Sequence, residues 1–180
     1  MSQTTEFRSI PTKILLPMDF SPSSDTALTM ATDLAQHFRA ELHLVHVVPM
    51  IPMATGIDAF PEGPLPFEMT FLQESKDRAE QKLATYMSAL ASKGIKASYL
   101  VEIGNDMADS IMMVVDSEHI DMVVLSTHGI SGWRPLVFGS TAEKVVRLVQ
   151  CPLLLLRSVA PAATATVPAP DLEKSCEEKS

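Results

Sequence analysis

The stretch "VVLSTHGISGWRPLVFGSTAEKVVRLVQCPLLLLR", Val123 to Arg157, decides the fold. It begins with an apolar run and passes into a polar loop carrying glycines. A helical pattern follows, "STAEKVVRLVQ", and then a second apolar run, "PLLLLR". That order reads as strand, loop, helix, strand. Glycines between a strand and a helix suit a phosphate site, because helix N-terminal N–H groups attract anions. They equally suit a tight turn. The chemistry of the chain turns on which reading holds for Gly129, Gly139 and Ser140.

The same alternation extends upstream. "KILLPMD" (Lys13 to Asp19) reads as a buried strand, and "SPSSDTALTMATDLAQHF" as a helix with inward positions Ala27, Met30, Ala31, Leu34 and Phe38. Ser21 is placed to cap that helix, with Pro22 at its first position. "ELHLVHVV" (Glu41 to Val48) is a second strand. "EMTFLQESKDRAEQKLATYMSALASKG" is a long amphipathic helix ending at Gly94. "IKASYLVEI" is a third strand, and Gly104 and Asn105 lead into a helix over Met107 to Ser117. "IDMVVLS" is the fourth strand, and Pro152–Arg157 the fifth. Near-continuous apolar strands alternating with helices indicate a mostly parallel sheet covered on both faces. The expected fold is therefore α/β, a doubly wound five-stranded parallel sheet with four helices. Residues 1–10 read as an N-terminal extension and 11–158 as the domain. Pro49 to Phe67, rich in Pro, Gly and Met, reads as a mobile insertion loop, and the Ala/Pro/Thr-rich segment Val159 to Ser180 as a disordered tail.

Composition narrows the function. The 180 residues carry 14 Lys and Arg against 22 Asp and Glu, a net charge of −8. Nucleic acid and anionic membranes require clustered cations, so neither is an expected partner. No window reaches the roughly 18 apolar residues of a membrane span. The start "MSQTTEFRSI" lacks a basic region leading into an apolar core, and the two cysteines form no framework. A reducing cytoplasm is the expected compartment. His43 and His46 are three apart in a strand, so they point to opposite faces and should not share a metal. The 11 methionines suit flexible core filling. The sequence contains no "GKS" or "GKT", no "GxGxxG" after the first strand, and no evident nucleophile–base set, so a fast hydrolase or kinase is not expected.

In a doubly wound sheet, ligands bind beyond the carboxyl ends of the strands. Those ends are Pro17-Met18-Asp19, Val47, and Leu125-Ser126-Thr127-His128-Gly129, with Gly139-Ser140-Thr141 opening the last helix. "STAE" (Ser140 to Glu143) fits a capping box in which Ser140 and Glu143 satisfy each other's N–H groups. Alternatively, an anion takes those N–H groups, approaching past Gly139, which has no Cβ.

The ordered blocks "ILLPMDFSPSSDTAL", "LHLVHVV", "VVLSTHG" and "GSTAEKVVRLVQCPLLLLR" resemble the universal stress protein family over roughly Thr12 to Arg157. The resemblance implies an adenine nucleotide alpha hydrolase-like sheet of order 3-2-1-4-5, binding ATP with Mg2+ or Mn2+. The nucleotide-binding branch carries Gly, two residues, Gly, nine residues, Gly and then Ser or Thr. Here Gly129, nine residues, Gly139 and Ser140 match it, while the first glycine position holds Ser126. A serine in ordinary strand conformation would add only a small hydroxyl, whereas one forced to positive φ would be strained. The resemblance assigns Asp19 to the nucleoside, with Pro17 and Met18 beside it, and Val47 to the adenine. Ser126 to Gly129, after Leu125, would hold ribose and phosphates, and Gly139, Ser140 and Thr141 the phosphate chain. It further implies a homodimer, for which Pro152–Arg157 is the candidate edge, and an unidentified protein partner. A nucleotide-free interaction module and an AMP or adenosine sensor are the alternative functions.

Overall fold

The structure is a computed structural model that describes residues 10–50, 66–127 and 139–157. Most of the insertion loop, the tail, His128 and Gly129 lie outside the described residues. The elements follow in the order β1 (Lys13–Pro17), α1 (Pro22–Phe38), β2 (Glu41–Pro49), α2 (Pro66–Ser92), β3 (Ala97–Gly104), α3 (Met107–Ser117), β4 (Met122–Ser126), α4 (Ser140–Leu148) and β5 (Leu153–Leu156). The sheet order is β3-β2-β1-β4-β5 and every pairing is parallel. This is the doubly wound α/β fold expected from the alternating pattern.

Strand periodicity explains the two cores. Ile14, Leu16, Leu42, Leu44 and Val124 pack with Ala27, Ala31, Ala35 and Leu83 of α1 and α2. Leu15, Val45, Val47, Val123 and Leu125 turn to the opposite face, against Ala108, Ile111, Ala142 and Val145 of α3 and α4. Successive strand residues thus feed opposite layers, which requires both to be apolar. The alanines of α1 bring that helix close to the sheet. Met30 departs from its expected inward position and is 40% exposed, because Ala27, Ala31 and Ala35 already fill the buried stripe.

Local signals set the boundaries. Ser21 caps α1 through Ser24 N at 3.2 Å, and Pro22 is its first residue. α2 starts at Pro66, inside the segment expected as loop, because proline suits a first helical turn. Gly94 ends it with φ 72°. β1 stops at Pro17, leaving Met18 and Asp19 beyond the strand. β5 is shorter than expected, spanning Leu153–Leu156. At the amino end of the sheet, Asp121 clasps β1 by accepting from Thr12 N, Thr12 Oγ1 and Lys13 N at 2.6 to 3.0 Å.

Candidate functional site

At the carboxyl end of the sheet, β1 and β4 diverge toward opposite neighbours. The chain leaves β1 for α1 and β4 for α4, and a cleft of about 340 Å³ opens between them. Of the twelve residues expected there, ten line it: Pro17, Met18, Asp19, Val47, Leu125, Ser126, Thr127, Gly139, Ser140 and Thr141. The other two, His128 and Gly129, lie outside the described residues. The structure adds Val45, Met107, Ile111 and Ala142, which sequence reasoning missed. Val45 was findable, since it shares a strand face with Val47. Met107 and Ile111 were harder, because only the packing of α3 beside α4 brings them to the floor.

The β1 side of the cleft is fixed by backbone. Met18 N donates to Val45 O at 2.7 Å, and Met18 O is bonded to His46 Nδ1 at 2.7 Å. Asp19 Oδ1 accepts from Ser21 N at 3.0 Å, a short-range turn that orients its carboxyl. Burial pushes the His46 imidazole below the usual histidine range, against the opposing pull of Met18 O and Asp19. The ring is therefore neutral near pH 7.

The β4 side begins at Ser126, which pairs with Leu156. Among the described residues, positive φ outside glycine occurs at Phe20, Arg39 and His119, so Ser126 is in ordinary strand conformation and carries no such strain. Thr127 N then donates to Leu156 O at 2.9 Å, and Gly139 N donates to Thr127 O at 3.0 Å. These bonds tie Thr127 to β5 and Gly139 to Thr127.

The start of α4 differs from the expected capping box. Gly139, not Ser140, is the N-cap, and among the described residues no side chain caps the helix. The reason is register: Glu143 N bonds Gly139 O at 2.9 Å, so Ser140 is already the first helical residue and Glu143 lies one position too far on. Gly139 N is occupied by Thr127 O, which leaves the N–H groups of Ser140, Thr141 and Ala142 without intrahelical acceptors. Gly139 has φ −60° and ψ 149°, a conformation open to any residue. A Cβ there would meet Thr127 O at an ordinary 3.6 Å, and no closer atom among the described residues. Neither backbone conformation nor described packing demands glycine at this position of the cleft lining.

α3 opens at the same rim. Its N-cap Asp106 accepts from Ala108 N at 2.9 Å and Asp109 N at 3.1 Å. Lys144 of α4 reaches across to Asp106 Oδ2 and Asp109 Oδ1, both at 2.8 Å. Lys144 first, then the Asp109 N–H, holds the Asp106 carboxyl below the usual carboxylate range. Gly104 permits the tight entry to α3, because a Cβ there would run into Ser110 Oγ. Among the described residues, no three His, Cys, Asp or Glu side chains are grouped to hold a metal, and no helix is long and apolar enough to cross a membrane. The cleft is lined by apolar Val45, Val47 and Ile111 and by the first residues of α4, whose N–H groups suit an anion.

Known proteins share this plan. A family model described as the universal stress protein family matches residues 11–157. The universal stress protein YxiE of Bacillus subtilis is 31% identical over 149 residues, covering 81% of this chain and 98% of that protein. The solved structure of UspA from Lactobacillus plantarum overlays with a TM-score of 0.70 at 23% identity, covering 83% of this chain and all of that one, 100%. A universal stress protein from Archaeoglobus fulgidus, solved in complex with dAMP, overlays with a TM-score of 0.55 at 16% identity over 80% of this chain and 96% of its own. The match along the whole described sheet and the near-complete coverage of the B. subtilis relative lead to one conclusion: this chain belongs to the universal stress protein family.

Proposed function

We propose that this protein is an ATP-binding regulator, a nucleotide-dependent switch that hydrolyses its ligand slowly at most. The observation that carries this reading is the uncapped start of α4, lying across the cleft from Asp19 and Val47. Adenine would lie on Val45 and Val47, and Asp19 would accept from the ribose hydroxyls. The phosphates would take the N–H groups of Ser140, Thr141 and Ala142 with the helix dipole. His128 and Gly129 belong to the same proposed site. Mg2+ or Mn2+ would be held through the phosphates rather than by a protein cluster. The compartment proposed is the cytoplasm. The proposed assembly is a homodimer through the β5 edge, whose four residues are half-buried and whose neighbours Val146 and Leu148 on α4 are exposed. Light scattering should return twice the chain mass at micromolar concentration, and a monomer would remove the dimer.

The nucleotide reading is tested by denaturing the purified protein and identifying released small molecules by mass spectrometry, followed by calorimetry with ATP and Mg2+. A released adenine nucleotide and saturable binding are expected. Neither release nor heat at high micromolar protein would leave a nucleotide-free interaction module instead. A second reading, an AMP-type sensor, is favoured by Lys144, which two carboxylates already engage, and by the dAMP complex of the A. fulgidus relative. Competition of AMP against ATP separates the two, since a strong ATP preference excludes the sensor.

A further inference from the structure

The cleft lies on the α3/α4 side of the sheet. Across β1, on the α1/α2 side, a second group of side chains gathers around Phe20, the residue after Asp19. Phe20 holds left-handed backbone at φ 60°. That conformation is ordinary for glycine and asparagine but an outlier for a bulky ring. Its ring lies 4.4 Å from that of His46 and 6.4 Å from that of Tyr86, stacked on the latter at 4°. Lys82 Nζ sits 4.7 Å from the Phe20 ring centre. Tyr86 is itself tied down, its hydroxyl donating to Asp25 Oδ1 at 2.8 Å. His46 continues the chain of contacts through Nδ1 to Met18 O. Stacking and cation–π attraction are comparable in size to the cost of left-handed backbone, so the ring contacts can hold the turn.

We propose that Phe20 is a positioning residue for the nucleotide cleft. Its stack with His46 and Tyr86 latches the Asp19–Phe20 turn and so fixes the Asp19 carboxylate from the far side of the sheet. The consequence for the ligand rests on the nucleotide reading above; the latch does not. Released from the stack, Phe20 would leave the left-handed region. The rotation would carry the Asp19 carboxyl away from Ser21 N and from the nucleoside. The phosphate end, built by α4, would be untouched.

The test compares Phe20→Ala, Phe20→Tyr and Tyr86→Leu with the natural chain, all checked for folding by circular dichroism. Amide exchange of Ser21, whose N–H bonds Asp19 Oδ1, reads the latch directly. Calorimetry with ATP and, separately, with tripolyphosphate reads the two ends of the cleft. In Phe20→Ala the Ser21 amide should exchange about tenfold faster and ATP should bind about tenfold more weakly, with tripolyphosphate unchanged. Phe20→Tyr should restore both, and Tyr86→Leu should move both in the Ala direction by less. Unchanged Ser21 exchange in Phe20→Ala overturns the latch. So does an equal loss of ATP and tripolyphosphate, which would mark general damage. A natural chain that binds no nucleotide overturns the proposed function instead, and the exchange comparison still decides the latch.

Discussion

α3 and α4 begin at the same rim of the same cleft and treat their free N–H groups in opposite ways. α3 supplies its own anion: the Asp106 carboxylate accepts from two backbone N–H groups and from Lys144. α4 supplies none, placing a glycine where a capping side chain would stand. Both helices end their dipoles at the cleft, so both present positive potential there. The capped helix has already used that potential for stability. On the proposed function, the uncapped one would keep it for a phosphate arriving from outside.

The sharpest way to break this contrast is Gly139→Asp, which makes α4 resemble α3. The backbone at residue 139 accepts the change, and the new carboxylate would occupy the N–H groups and repel phosphate. Nucleotide affinity should fall by about 100-fold or more in calorimetry. Folding stability should rise by a few tenths of a kcal/mol in a urea titration, roughly the advantage of aspartate over glycine as a cap. The converse change, Asp106→Ala, opens α3. It should lower the urea midpoint through loss of the cap, while nucleotide binding stays equal or tightens because the rim loses a negative charge.

Acid should weaken the sheet from both of its faces. Burial pushes the His43 and His46 imidazoles below the usual histidine range; Glu41 opposes this at His43, and Met18 O and Asp19 at His46. Unfolded histidines take up protons near pH 6.5, before the native ones do. The unfolded chain then binds more protons, so stability drops as pH falls below that value and levels off once the native rings have protonated. Urea midpoints at about pH 7.5 and about pH 5.5 should show this fall, and His43→Leu should reduce it. The smallest effect is expected at Ser126→Gly. Ser126 is unstrained, so nucleotide affinity should stay within about twofold or tighten slightly in the same calorimetric titration.

Much of the fold was legible because its signals are repeated. Apolar runs such as "ILLP" and "MVVL" have no polar face to expose, and that forces a sheet covered on both sides. The cap of α4 is ambiguous in sequence because "GSTAE" offers two starts one residue apart, and only the bond from Glu143 N to Gly139 O distinguishes them. The cleft's polar rim could be read from strand ends, since topology alone places ligands there. Its floor could not, because Met107 and Ile111 look like ordinary inward residues of an amphipathic helix. Phe20 is silent in the sequence for a different reason. Backbone handedness at a bulky residue leaves no mark in composition or period, and its partners Lys82 and Tyr86 are more than 60 positions away.

The clasp between Asp121 and Thr12 joins residues 109 positions apart. β1 can pair with β2 soon after both leave the ribosome, through neighbours such as Lys13 and Glu41. Its other edge must wait for β4, on the order of seconds later at ordinary rates of synthesis. The cleft lies along that second edge, with one wall made early and the other made late. A ligand held there would select chains that have already closed the sheet, and would protect the finished molecule without rescuing its precursors.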